Sequence, residues 1–276
     1  MSYTNFIPAV WARGIQRELV RESVFAADCN REYEGEVSKA GDRVRILGIG
    51  KPTITKNKGT EIKLQDAEAV ADTSSTLIIE NVAHFNFLID DIDKRQAQGN
   101  VMEALMSESN EGLVNAVDED IAALAKDKMA VKQAAATLTE ANVLQYVDKC
   151  VLALLENDVS RKTKIIATVP PWFWMLVKNK LTTVDTDNSG RLRSMEVGNY
   201  GNVEFRCSNN VAKDDSGNSL PMFRTKRAIA AVQPMTHVEP YRPEKSFSDA
   251  VKGFVLYGQK IVRPKELIVL PCKSGT

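Results

Sequence analysis

The apolar positions of this chain change period several times, and the order of the changes sketches a fold. DRVRILGI (residues 42–49) alternates, placing Val44 and Ile46 on one face of a strand. GKPTITKNKGTEIKLQD (50–66) is polar and rich in β-branched residues, with turn chemistry at Asn57–Lys58–Gly59, and predicts a projecting two-stranded hairpin. Such a hairpin is barely stable alone in water. TLIIENVAHFNFLID (76–90) then reads as one long strand, apolar at Val82 and, after a change of face, at Phe85, Phe87 and Ile89. His84 within it is expected to be packed.

The period then becomes helical. Val101, Leu105, Leu113, Val117, Ile121 and Leu124 recur at helical spacings, after a capping box at Asn100 and Glu103. About 28 helical residues would span ~40 Å, long for a compact domain. A second capping box, Thr137 with Glu140, leads into Val143, Leu144, Val147, Val151 and Leu155. KIIATVP predicts a short strand buried on both faces, and Pro170–Pro171 opens the helix PWFWMLVKNKL. Its adjacent Trp172, Phe173 and Trp174 point in different directions and are expected in a core. VEFRCS, RAIAAVQ and GFVLYGQKIVRPKELIVLP return to strands. Strands, helices and strands again, without regular alternation, predict an α+β fold. Ahead of everything lie Phe6, Ile7, Val10 and Trp11, apolar residues that need a surface to lie against, then a short amphipathic helix through Ile15, Leu19, Val20 and Val24.

Composition removes several functions. In 276 residues, 36 Lys plus Arg balance 36 Asp plus Glu, so the basic excess of a dedicated nucleic-acid binder is missing. No apolar run approaches the roughly 18 residues of a membrane helix, and MSYTNFIPAVWARG does not read as a secretory signal. A cytoplasmic site of synthesis is expected. Cys29, Cys150, Cys207 and Cys272 are too scattered for a zinc site or a disulfide framework and are expected as reduced, mostly buried thiols. No nucleophile elbow, phosphate loop or HExxH is present, so neither an enzyme nor a cofactor is expected.

One motif pulls the other way. DTDNSGRLRSME offers Asp185, Asp187, Ser189 and Glu196 at the spacing of an EF-hand calcium loop, which would make the protein a calcium-binding one. The loop needs a helix on each side. PWFWMLVKNKL supplies the entering one, but VGNYGNVEF follows Glu196, with glycines that favour turns. Asp, Asn, Ser and Gly are ordinary turn residues, and the match is read as chance; no metal is expected.

The co-linear pieces FIPAVWARGIQREL, NREYEGEVSKAGDRVRI, the lysine-rich hairpin, FNFLIDDIDKRQAQGN, the long helix, TVPPWFWMLV, VGNYGNVEFRCSNNV and RPEKSFSDAVKGFVLYGQKIVRPKELIVL span nearly the whole chain. Together they resemble the major capsid proteins of tailed bacteriophages, of the Hong Kong 97-type fold. The resemblance implies an N-terminal arm over residues 1–30 and a peripheral domain over 31–134. Within the latter it implies an extended E-loop at about 48–78 and a spine helix at about 94–128. An axial domain over 135–222 and a return to the peripheral domain over 223–276 complete the picture.

Its implied function is self-assembly, as pentamers and hexamers, into an icosahedral shell around a double-stranded DNA genome held by non-specific contacts. Assembly would take place in a host bacterial cytoplasm, with a separate scaffolding protein and a portal as further partners. The alternative is an encapsulin-like compartment of the same fold. Subunit contacts are expected at Phe6 and Trp11 of the arm. They are also expected between the hairpin lysines Lys51, Lys56, Lys58 and Lys63 and acidic groups of a neighbour: Asp90, Asp91 and Asp93, or Asp118, Glu119 and Asp120.

Overall fold

The computed structural model describes residues 23–33, 43–49, 72–90, 101–182, 199–244 and 248–275. The strands β1 (Arg43–Ile49), β2 (Asp72–Ile78) and β3 (Asn81–Asp90) precede helix α1 (Val101–Ala123), which a short 3-10 turn extends to Lys126. Next come β4 (Val131–Lys132), β5 (Ala136–Leu138), α2 (Val143–Glu156), β6 (Ile165–Val169) and α3 (Pro171–Thr182). The chain continues through β7 (Asn199–Tyr200), β8 (Val203–Cys207), β9 (Met222–Arg224), β10 (Ile229–Tyr241), β11 (Ser248–Ile261), β12 (Leu267–Val269) and β13 (Cys272–Ser274). The fold is a mixed α+β one.

Two cores organise it. In the first, Leu113, Val114, Val117 and Ile121 of α1 pack on the antiparallel sheet β10-β11-β3, against Val238, Val251 and Val255. In the second, Val143, Val147 and Leu154 of α2 and Phe173, Trp174 and Val177 of α3 cover the six-stranded sheet β4-β12-β9-β6-β8-β7. Strand alternation joins the two. Met222, Leu267 and Val269 belong to the first core, while their neighbours Phe223 and Ile268 point into the second. As expected, β6 is buried along its whole length and α3 starts at Pro171. Of the three adjacent aromatics, Phe173 and Trp174 are fully in the core and Trp172 packs at its margin.

Three expectations need correction. Residues 76–90 are two strands: β2 pairs with β1, whereas β3 pairs with β11 from Asp90 opposite Ser248 to Asn81 opposite Tyr257. The chain changes sheets at Ile79–Glu80, and Val44, Ile46, Leu77 and Ile79 form a third cluster with Ala230, Val232 and Leu256. Gly258 makes that crossing possible, because a Cβ there would lie 2.8 Å from the Ile78 carbonyl oxygen and 3.2 Å from the Ile79 Cα. The capping box at Thr137 does not form either. Thr137 pairs with Lys273 in a parallel ladder, so α2 begins later, behind Asn142, whose side chain bonds back to Thr139 N and Thr137 O. Finally, His84 is exposed, since its strand turns Ala83, Phe85 and Phe87 toward the core instead. The start expected for the long helix, with Asn100, lies outside the described residues.

The thiols divide sharply. Cys29, Cys150 and Cys272 are buried and Cys207 is exposed, and none forms a disulfide. Burial pushes the Cys150 and Cys272 thiols up to about 12, so the thiolate needed for reaction is nearly absent at neutral pH. A maleimide is therefore expected to label the folded, unassembled chain at Cys207 and to reach the other thiols only in denaturant. Mass spectrometry of the labelled peptides checks this, and fast labelling of Cys150 in the folded chain would contradict the second core.

Candidate functional site

The described residues concentrate their buried charge at one place, around residues 23–30. Residues 23–30 form a turn containing a short 3-10 helix, Ala26–Asp28, and a turn of this kind leaves N–H groups unpaired at one end and C=O groups at the other. Both ends are held by distant side chains. At the first end, Asp118 of α1 accepts hydrogen bonds from Ser23 Oγ (2.6 Å), Val24 N (2.8 Å), Phe25 N (3.2 Å) and Ala26 N (3.2 Å). At the other, Arg224 of β9 donates through Nη1 to the Asp28 carbonyl (2.5 Å) and through Nη2 to the Phe25 carbonyl (3.0 Å).

The signs are those a short helical turn favours, an anion at its N–H end and a cation at its C=O end. Asp118 is 2% exposed and Arg224 0% exposed, so these bonds form away from water, where charge-assisted bonds are strong and orphaned groups costly. Cys29 is buried beside them, its Sγ 3.6 Å from Arg224 Nη1, and burial pushes its thiol up. Outside the clamp, Arg206 Nε meets Asp28 Oδ2 at 3.1 Å and Arg206 Nη2 meets Glu204 Oε1 at 3.0 Å, with Lys164 on the same glutamate. The segment then bridges to β10, with Asn30 N donating to Ile229 O (2.9 Å) and Ala231 N to Asn30 O (3.1 Å). The arrangement does no chemistry. It holds residues 23–30 against α1, β9 and β10.

The expected contact residues fare unevenly. Phe6, Trp11, Lys51, Lys56, Lys58, Lys63, Asp91 and Asp93 lie outside the described residues, and Asp90 is the last residue of β3. Asp118 is not free to meet a neighbour's lysine, because it is buried and committed to residues 23–26. Asp120 accepts from the Tyr257 hydroxyl at 2.6 Å and pushes that phenol's ionisation up, after the larger effect of its burial. Glu119 alone of the three stays exposed. Asp185, Asp187, Ser189 and Glu196 also lie outside the description, but their flanks do not. Helix α3 precedes them, and β7 begins at Asn199, which leaves no room for an exiting helix after Glu196.

The clamp itself was missed in the sequence. A trace of it was there: Asp118 interrupts the apolar stripe of Val114, Val117 and Ile121, and an acid on a core-facing stripe needs a donor. Its partners are mostly backbone groups some 90 residues away, which no side-chain pattern reveals.

No family model and no curated protein matches the chain by sequence. Solved structures do. A structure from Mycobacterium phage Che8 is 28% identical, with 90% of each chain covered and a TM-score of 0.75. The capsid of cyanophage P-SCSP1u gives a TM-score of 0.67 at 14% identity over 87% of this chain and 85% of that one. A virus-like particle from Pyrococcus furiosus gives 0.61 at 12% identity, over 95% and 98%. The chain therefore has the Hong Kong 97-type capsid fold.

Proposed function

We propose that the chain is a major capsid protein of a tailed phage, that copies of it assemble into an icosahedral shell enclosing double-stranded DNA, and that the two cores divide the work of building that shell. The first core, with β1–β2 and the return strands, corresponds to a peripheral domain. The second corresponds to an axial domain whose loops meet around the five-fold and six-fold axes. The observation that carries this reading is the sharing of β9 and β12 between the cores, each strand serving both through opposite faces. Two units coupled through shared strands suit a subunit that makes many modest contacts at once, whose strength comes from their number. Residues 1–22, launched from the Asp118–Arg224 clamp, act as an arm lying across neighbours, with Phe6 and Trp11 as apolar contacts. The base strands β1 and β2 carry an E-loop whose Lys51, Lys56, Lys58 and Lys63 meet Asp90, Asp91, Asp93 or Glu119 of a neighbour. A scaffolding protein and a portal are separate chains.

The zero net charge argues that DNA is held by confinement and not by a dedicated basic surface. Particles containing this chain, treated with nuclease, washed and then opened, are expected to release double-stranded DNA. Release of folded protein without nucleic acid would overturn the genome reading. It would favour instead a compartment of the kind that the virus-like particle match allows.

A further inference from the structure

We propose that the outer edge of β3, with the open face of its sheet, is a contact surface for a second copy of this chain. The inference rests on the shell reading and names a surface within it.

The two edges of the sheet β10-β11-β3 are built differently. Strand β10 carries Pro234 and Pro240, and its register with β11 shifts between Val232 and Met235. Prolines and bulges are what proteins use to stop an edge from pairing with another chain. Strand β3 has neither. It runs ten residues in unbroken register with β11, contains no Pro and no Lys, and its other side meets no strand among the described residues. One edge is guarded and the other is not.

The face beside the open edge is apolar where it need not be. Val82 is 50% exposed and Leu88 62%, both on the side of β3 turned away from α1. Between them, His84, Phe254 and His237 stand opposite one another across the three strands, with the His237 and Phe254 rings 5.7 Å apart. Lys252 and Glu239 on that face neutralise each other at 3.1 Å. The same face already accepts an extra strand layer at its far end, where Leu77 and Ile79 cover Leu256 and Val232.

A neutral, partly aromatic face with an unguarded edge suits an extended, uncharged stretch that adds backbone hydrogen bonds along β3. The chain contains one in SYTNFIPAVWA (2–12), which has no ionisable acid or base of the Asp, Glu, Lys or Arg type. The stretch 51–63, with four lysines, would have to bury charge there without partners. The occupant is accordingly an uncharged stretch of a neighbouring copy.

The test places a probe at the most exposed apolar position. In a Cys207→Ser background, Leu88→Cys is expected to react quickly with a maleimide in unassembled subunits. In assembled shells it should react about tenfold more slowly, as water is excluded from an interface core. A photo-crosslinker on the same cysteine should capture residues 2–12 of another copy, read by mass spectrometry. Leu88→Lys should leave subunit unfolding in urea unchanged and sharply lower the yield of shells. Equal labelling in shells and subunits, or normal shells from Leu88→Lys, would overturn the surface while leaving the shell reading intact. Failure of the unsubstituted chain to form shells would remove both.

Discussion

Replacing Asp118 by alanine is expected to cost the unassembled subunit about 3–5 kcal/mol, as removing one member of a buried charged network does. The reason is asymmetry. Four donors, the Ser23 hydroxyl and the N–H groups of Val24, Phe25 and Ala26, would be left inside the protein without the acceptor they share. Asp118→Asn should recover only part of the loss, because one oxygen would be replaced by a further donor. Urea unfolding of the purified subunit reads both. Arg224→Met should be milder, since methionine fills much of the volume and the desolvation cost of the buried guanidinium disappears with it. If the two side chains act through the same turn, the double variant should fall short of additivity by about 1 kcal/mol or more. Strict additivity would mean that Asp118 and Arg224 support the fold independently, and that no single anchor exists.

The second large effect belongs to Gly258. Gly258→Val is expected to destabilise the subunit by about 1–3 kcal/mol, the range for overpacking a close-fitted core. Its nearest obstacle is backbone, the Ile78 carbonyl oxygen at 2.8 Å, which cannot rotate out of the way. The damage should be local. Hydrogen exchange should accelerate in β1 and β2, whose cluster is pinned at that crossing, and stay slow in the helices of the second core. Gly253 gives the comparison. A Cβ there would meet the far end of the Phe85 ring at 2.6 Å and the His237 carbonyl oxygen at 3.1 Å; the ring is only half-buried and can swing, and the backbone contact is looser than the one at Gly258, so Gly253→Ala should cost less. If Gly253→Ala proved the more damaging, the tight crossing would be the wrong explanation for the glycine at 258.

These two sites mark the boundary of what sequence patterns reveal. Where one face decides an element, the pattern was sufficient: the alternation at Val44 and Ile46, the burial of β6 and the proline start of α3 all appear in the structure. Where two sheets compete for one stretch, it was not. Residues 76–90 are apolar enough for one strand, and only the partners of β2 and β3, both distant in the chain, divide it. The Thr137 box failed for the same reason, as a ladder with Cys272–Ser274 outweighed a local cap. For the site, the sequence supplied the arm and the hairpin lysines as contacts, and these lie beyond the described residues. The clamp on residues 23–28 left only the trace at Asp118, because Asp118 and Arg224 bind mostly backbone groups, which leave no mark in side-chain patterning.

Assembly is the property on which the proposed role depends most directly. Size exclusion with light scattering on the purified chain, followed by negative-stain microscopy of the large fraction, tests it across protein and salt concentration. Closed shells or ring-like capsomers are expected, together with their loss when Lys51, Lys56, Lys58 and Lys63 are changed to Glu in subunits that still fold. A folded chain that stays monomeric under every condition, including co-expression with a scaffolding protein, would contradict it.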